Sequence, residues 1–392
     1  MRMMLNVMAA TLFWVTTAHA QVPCGGSFSQ FVTDMVDEAR SHGHSRRTAR
    51  AFFDGVEKDS AVLRADRAQG IFQSGFIDFS RKLISGYRMD LGKRKAKQYD
   101  RIFGQIERKY GVSRGVLLAF WAFETDFGGF QGNFNTRNAL VTLAHDCRRP
   151  ELFRPQVFAA MELFAQGEFD PRTTTGAWAG EIGMVQMLPE DILENGVDAD
   201  GDGRVSLKTS APDALMSGGK MLKSLGWRAN EPWLQEVSVP TNFNWADTGL
   251  GTSKTAREWA RTGVKPRTGT FLRTDLQGSI ILPQGHKGPA FLVYPNFSVL
   301  FEWNQSFTYV LTAAYFATRL EGAAVYDAGE PEIGLNGSQM KALQQRLQSR
   351  GHDVGDIDGI LGAKTREAVR EEQKRLGLAI DAWPTPALLS RL

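Results

Sequence analysis

The chain has 392 residues, 42% of them hydrophobic, enough to bury at least one large core and to divide into two or more domains. Of its 46 Lys+Arg only Arg2 falls within the first twenty residues, and the rest nearly balance 43 Asp+Glu. With no basic run and a near-neutral mature chain, nucleic-acid binding is unsupported, and there is no internal repeat or low-complexity tract.

Residues 1–20 carry Arg2 as their only charge, then an apolar middle, and end in Ala18-His19-Ala20, a small-x-small cleavage signal. That pattern predicts a secretory signal peptide, too short in its uncharged run for a membrane span, and nothing later comes closer to one. Cys24 follows the predicted cleavage point, but Pro23 precedes it where a lipidated cysteine follows a small residue, so no lipidation is expected. Cys147 is the only other cysteine, and in an exported chain the two are candidates for a disulfide; sequence gives no distance, so two unpaired thiols remain the alternative.

From Phe28 to about Gln131 apolar residues recur at helical spacing. Within this region GVLLAFWAFETDFGG, Gly115 to Gly129, is uncharged until Glu124, which shares a helical stripe with Leu117, Phe120 and Trp121. Ser113 is the expected N-cap and Gly128-Gly129 the expected stop, so Glu124 sits near the C-terminal end on a buried face. Burial and the negative end of the helix dipole both disfavour a carboxylate there, so a raised pKa and a general-acid role are expected. The plain alternative is a buried carboxyl that only hydrogen-bonds a neighbouring helix. Asp126, two residues on, is expected to face away.

Residues 133–138 read as a loop before a helix over Phe153 to Phe164. The stretch Gly176 to Pro189, GAWAGEIGMVQMLP, places Gln186 beside a glycine-rich bend, which suits recognition of sugar hydroxyl or acetamido groups. Asp198, Asp200, Asp202 and Gly203 fit the opening of a calcium loop, with Arg204 offering its carbonyl and Ser206 a hydroxyl or a water. Thr209 stands where such a loop has its bidentate Glu, so a metal-free Asp-Gly turn competes with weak calcium binding. Ser279 to Leu282, Ala290 to Tyr294 and Ser298 to Trp303 are short, β-rich and bounded by Gly or Pro, and predict a small inserted sheet. Tyr309 to Leu320 is helical again. Residues 322–334 have no apolar period and read as a linker, followed by helical periodicity over Met340 to Leu347 and Thr365 to Leu376.

Taken together, FWAFETDFG, GNFNTRNAL, AHDCRRPELFRPQ, AWAGEIGMVQMLP, the Asp200 loop and the run from Gly288 to Leu320 resemble the lytic murein transglycosylase B family, in order and over nearly the whole region 21–321. The tail, 335–392, resembles the small three-helix peptidoglycan-binding domain, whose D-G-x-x-G-x-x-T signature is met by Asp358, Gly359, Gly362 and Thr365, the last expected to cap a helix. The fold implied is mainly α (α+β): a lysozyme-like helical catalytic lobe with a small inserted β-sheet, plus the C-terminal domain.

The resemblance implies cleavage of the β-1,4 bond between N-acetylmuramic acid and N-acetylglucosamine in peptidoglycan strands, ending in a 1,6-anhydro ring. Glu124 would protonate the leaving oxygen and then take a proton from the C6 hydroxyl, with the acetamido group attacking the anomeric carbon in place of a second carboxylate. It also implies that Gln186, Asn304 and Tyr309 line the cleft. A serine common in the family is here Ala177, which puts one substrate hydrogen bond in doubt. Trp178 and Trp303 are candidate sugar platforms, with plain core packing as the alternative. Some relatives complete the calcium loop with a later Asp, a part Asp213 would take. No cofactor is required, and calcium, if bound, is structural. The expected location is the periplasm, with no membrane span once the signal is removed. The competing functions are a hydrolase acting on the same bond and a non-catalytic wall-binding protein.

Overall fold

The structure is a computed structural model that describes residues 23–68 and 74–392, so the predicted signal peptide lies outside the described residues. Seventeen α-helices and two small sheets are found among the described residues. The largest core belongs to the helical lobe and gathers Phe103, Leu117, Phe120, Trp121, Leu140, Phe153, Leu311 and Phe316, all nearly inaccessible. Burying side chains of this size contributes about 1.5–3 kcal/mol each.

The five-stranded sheet runs in the order Lys254–Thr255, Gln277–Ile281, Ala290–Val293, Leu234–Ser238, Lys265–Pro266, each neighbouring pair antiparallel. Its central strands are apolar at successive positions because both faces are covered. Ile281, Phe291 and Val293 face the helical lobe, whereas Ile280, Leu282 and Leu292 join a second core with Trp259.

The predicted third strand over Ser298 to Trp303 is instead part of helix Pro295–Trp303. Pro295 at its first position pre-sets the helical φ, and Phe297 and Leu300, three apart, both sink into the lobe core; packing overrides β propensity here. The 133–138 segment contributes a two-residue strand, Phe134–Asn135, paired with Thr175–Gly176, before helix Thr136–His145 begins.

The C-terminal domain has helices Gly337–Ser349, Ala363–Arg375 and Pro386–Ser390 around a separate core of Met340, Leu343, Leu347, Val369 and Leu388. Thr365 does not cap its helix. The N-cap is Gly362, and the Thr365 hydroxyl lies inside the first turn and donates to the Val354 carbonyl at 3.1 Å.

Residues 322–334 contain no helix or strand, yet they are not a free tether. Tyr326 is buried with its hydroxyl 2.9 Å from Ser80 Oγ, the Asp327 amide donates to Glu236, and the Glu330 amide donates to the Lys287 carbonyl. The C-terminal domain is likewise docked. Asp381 meets His286 Nδ1 at 2.6 Å, and Arg370 Nη2 donates to the Ala246 carbonyl at 2.6 Å.

Candidate active site

Glu124 lies in the last turn of helix Arg114–Thr125, most of whose residues are buried in the lobe. Ser113 caps its start, accepting from the Gly115 amide at 3.0 Å. The helix stops three residues before Gly128. Asp126 takes the left-handed conformation, and its amide and that of Phe127 return to the Ala122 and Trp121 carbonyls. Asp126 then pairs with Arg88 at 3.0 Å instead of turning toward Glu124.

Helix Phe307–Leu320 packs antiparallel against this one. A Cβ on Gly115 would lie 2.7 Å from the Ala317 carbonyl, so the missing side chain is what allows the two backbones to approach at that end. At the other end Phe123 stacks on Phe316 with centroids 5.1 Å apart, and Tyr309 reaches the carboxyl. The Tyr309 hydroxyl donates to Glu124 Oε1 at 2.5 Å, and Trp303 Nε1 donates to the same oxygen at 3.2 Å.

Burial pushes the Glu124 carboxyl up to about 7, opposed by the Tyr309 and Trp303 hydrogen bonds and aided by the charge of Glu181. A group with that value is partly protonated at neutral pH, as a general acid must be. Burial and the adjacent Glu124 hold the Tyr309 phenol well above its ordinary value, so it remains a donor.

The glycine-rich bend is fastened to the end of the Glu124 helix, since Thr125 Oγ1 donates to the Met184 carbonyl at 2.6 Å. Gly183 has φ 83°, and any Cβ there would strike Leu207, so the turn requires glycine. Gln186 holds φ 53°, a strained value for a residue with a side chain. Its Nε2 is committed to the Gly183 carbonyl at 2.7 Å.

Of the residues singled out in the sequence, Glu124, Trp303 and Tyr309 are brought into direct contact. Gln186, Asn304 and Trp178 make no hydrogen bond to Glu124. Asn304 Oδ1 accepts from the Ser306 amide at 2.9 Å, and Trp178 is half-buried against the lobe core. Trp303 differs from the expected open sugar platform: one face is stacked on Phe120 at 4.4 Å and its edge is spent on Glu124.

The family resemblance requires no acid at Glu181 and gives it no role, yet its carboxyl is pushed up by burial and its charge acts on Glu124. Its Oε2 is sealed from solvent and has no hydrogen-bond partner. The available signal was a single acid in the otherwise uncharged run from Gly176 to Pro189. Concavity is no guide to this site: a cavity of about 870 Å³ opens at the far end of the Glu124 helix, around Ser113, Trp227 and Trp233.

Asp198, Asp200 and Asp202 present carboxylate oxygens within 4.8 Å of one another at the surface, and the donor set of three hard oxygens suits calcium. Asp213 lies outside this cluster. It is fully buried, and its two oxygens accept from the amides of Ala199, Asp200 and Ser206. Its place is the loop's internal brace. Arg204 contributes its amide to Asp202 Oδ1 at 2.9 Å. Cys24 and Cys147 are joined by a disulfide, next to the Gly25 amide that donates to the His145 carbonyl at 2.8 Å.

Residues 27–318 match the family described as the transglycosylase SLT domain, and residues 336–392 match the putative peptidoglycan binding domain. Membrane-bound lytic murein transglycosylase B of Escherichia coli (strain K12) is 24% identical over 318 residues, 76% of this chain and 85% of that one. The crystal structure of SltB3 from Pseudomonas aeruginosa in complex with NAG-anhNAM-pentapeptide is 36% identical with a TM-score of 0.85, covering 94% of this chain and 99% of that one. The Escherichia coli lytic transglycosylase Slt35 in complex with calcium, at 22% identity and a TM-score of 0.65 over 78% of this chain and 97% of that one, shares the fold. With the match spanning the lobe that carries Glu124, Trp303 and Tyr309, the chain belongs to the transglycosylase SLT domain family and ends in a domain of the peptidoglycan-binding family.

Proposed function

We propose that this protein is a lytic transglycosylase that cleaves the β-1,4 bond between N-acetylmuramic acid and N-acetylglucosamine in peptidoglycan and leaves a 1,6-anhydromuramic end, as part of cell-wall turnover. The observation that carries the reading is the half-buried Glu124, whose carboxyl burial pushes up to about 7 and whose Oε1 accepts from both Tyr309 and Trp303. Relatives crystallised as SltB3 complexes hold NAG-anhNAM-pentapeptide and NAG-NAM-pentapeptide, and the likeness to that protein covers nearly the whole chain.

In the mechanism Glu124, protonated, gives its proton to the leaving glycosidic oxygen. The acetamido group of the muramic acid attacks the anomeric carbon as that bond breaks. The Tyr309 and Trp303 donors stabilise the carboxylate so formed, and Glu124 then takes the C6 hydroxyl proton while the C6 oxygen closes the anhydro ring and displaces the acetamido oxygen. A hydrolase would need a base that holds a water in the cleft. Glu181 is poorly suited, since its Oε2 is sealed from solvent.

The proposed location is the periplasm. Support comes from the signal-like residues 1–20 and from the Cys24–Cys147 disulfide, which suits an oxidising compartment. No helix among the described residues is long and apolar enough to cross a membrane. Calcium at Asp198, Asp200 and Asp202 is proposed as a brace for an exposed loop and takes no part in the reaction.

Digestion of purified sacculi followed by mass spectrometry of the released sugars tests the function. Anhydro ends are expected; reducing ends would make the protein a hydrolase, and no release would make it a wall-binding protein.

A further inference from the structure

We propose that Arg366, in the C-terminal domain, is a positioning residue of the active site: through Phe307 it holds the segment from which Trp303 and Tyr309 reach Glu124. This rests on the reading of Glu124 as the proton donor.

The two donors to Glu124 flank a short irregular connection. Trp303 ends helix Pro295–Trp303, Asn304, Gln305 and Ser306 follow, and Phe307 opens the helix that carries Tyr309. The hydrogen bonds within that connection are local. Ser306 caps Tyr309, Asn304 accepts from Ser306, and Gln305 Nε2 donates to the Phe301 carbonyl at 2.6 Å. Local bonds fix the shape of such a turn, whereas its position over the cleft depends on what packs against it.

Arg366 supplies an outside anchor. Its guanidinium carbon lies 4.7 Å from the centroid of the Phe307 ring, and Nη2 donates to the Pro283 carbonyl at 3.1 Å. It thereby joins the first residue of the Tyr309 helix to the loop after strand Gln277–Ile281. Phe307 also stacks on Phe301 with centroids 6.4 Å apart, so the ring has two neighbours, one from each domain.

Arg366 is held at a cost. Its Nε is buried without a partner, and burial pulls the guanidinium down to about 10, still charged at neutral pH. The charged group acting on it is Asp381, which itself meets His286. A cation over an aromatic face recovers part of a desolvation cost, and the contact is stronger where water is excluded. Arg370, by contrast, docks the domain through the Ala246 carbonyl, and no aromatic contact to the Phe307 segment is made by it. The C-terminal domain is thus a supporting wall of the catalytic centre as well as a wall-binding module.

The test is turnover of a short soluble glycan by full-length protein across pH, comparing wild type with Arg366→Met, Arg366→Lys and Arg370→Met, and with Glu124→Gln as reference. Arg366→Met is expected to lower kcat about threefold to tenfold, with KM changing less than about twofold, because a small misplacement of reacting groups acts on the transition state. The alkaline limb should also move to higher pH. Trp303 and Tyr309 stabilise ionised Glu124, so loosening them keeps the acid protonated further up the scale. Arg366→Lys, which keeps a cation over the ring, should recover most of both effects, and Arg370→Met should match wild type. Melting curves establish that each variant is folded, and Arg366→Gln, which removes the cation but keeps a donor for Pro283 and should show the same losses, carries the comparison if the Met variant is not. Wild-type kcat and pH profile in Arg366→Met would overturn the proposal, as would equal effects from Arg370→Met, which would make docking in general responsible. Turnover by Glu124→Gln would instead sink the assignment of the acid, whatever Arg366 does.

Discussion

Tyr309 donates its phenol to Oε1 of Glu124 across 185 residues of sequence, and the bond works against the burial that lifts the carboxyl to about 7. The site therefore balances two opposing needs. Burial keeps a proton on Glu124 for the first step, and the donors stabilise the carboxylate that the step creates.

Removing the donor while keeping the ring displaces that balance in a known direction. Tyr309→Phe should raise the Glu124 pKa, since the lost bond favoured the ionised form. A hydrogen bond to a charged group is worth about 1.5–3 kcal/mol, so the alkaline limb of the rate profile should rise by about one to two units. The rate at its optimum should fall as well, because the departing proton leaves a less stabilised carboxylate. A limb that stays put would show that the hydrogen bond does not tune the acid.

Glu124→Gln should lose about 100-fold or more of its turnover of glycan strands while keeping the fold, as the amide fills the same space and has no proton to give. The same variant should be more stable than wild type at alkaline pH. The folded pKa of about 7 lies above the ordinary value of 4.5, so the stability Glu124 contributes is fully present below pH 4.5 and is lost as pH rises through 7. Wild type should thus lose ~3 kcal/mol over that window that the variant keeps, read as a pH-dependent gap in Tm. A constant gap would mean that the carboxyl is not perturbed.

The Asp198 loop separates two roles that sequence alone merges. Asp200→Asn/Asp202→Asn should abolish any calcium-dependent rise in Tm, because mutual repulsion of three exposed carboxylates is what a cation relieves. Asp213→Ala should destabilise the protein by about 2–4 kcal/mol with or without calcium, since it strands buried backbone amides. If Asp213→Ala matters only when calcium is present, Asp213 is a ligand after all.

The disulfide closes a loop of 123 residues between the start of the described chain and the segment following helix Thr136–His145. Chain-entropy arguments give bridges of this span about 5 kcal/mol, so Cys24→Ser/Cys147→Ser should lower Tm by several degrees while leaving kcat near wild type, because neither cysteine touches the site. Equal Tm with and without the bridge would make it dispensable.

The sequence by itself determined the elements whose cause is local. A carboxyl at the end of an apolar helical stripe is buried by the periodicity of its neighbours, and Leu117, Phe120 and Trp121 brought Glu124 with them into the lobe. Strands Gln277–Ile281 and Ala290–Val293 were legible for the same reason, as runs of branched and aromatic residues between turn formers. Where two readings were locally equivalent, only tertiary packing chose. Ser298 to Trp303 could lie as strand or helix, and the lobe core took Phe297 and Leu300 at helical spacing. Asp213 could be a ligand or a brace, and its complete burial beside three amides made it a brace. The meeting of Trp303 and Tyr309 on one oxygen of Glu124, and of Arg366 on Phe307, leaves no periodic trace, because each contact joins residues separated by dozens to hundreds of positions. Such pairs are fixed by how the helices and the C-terminal domain pack, which depends on shape complementarity over whole elements and not on the identity of any one neighbour in the chain.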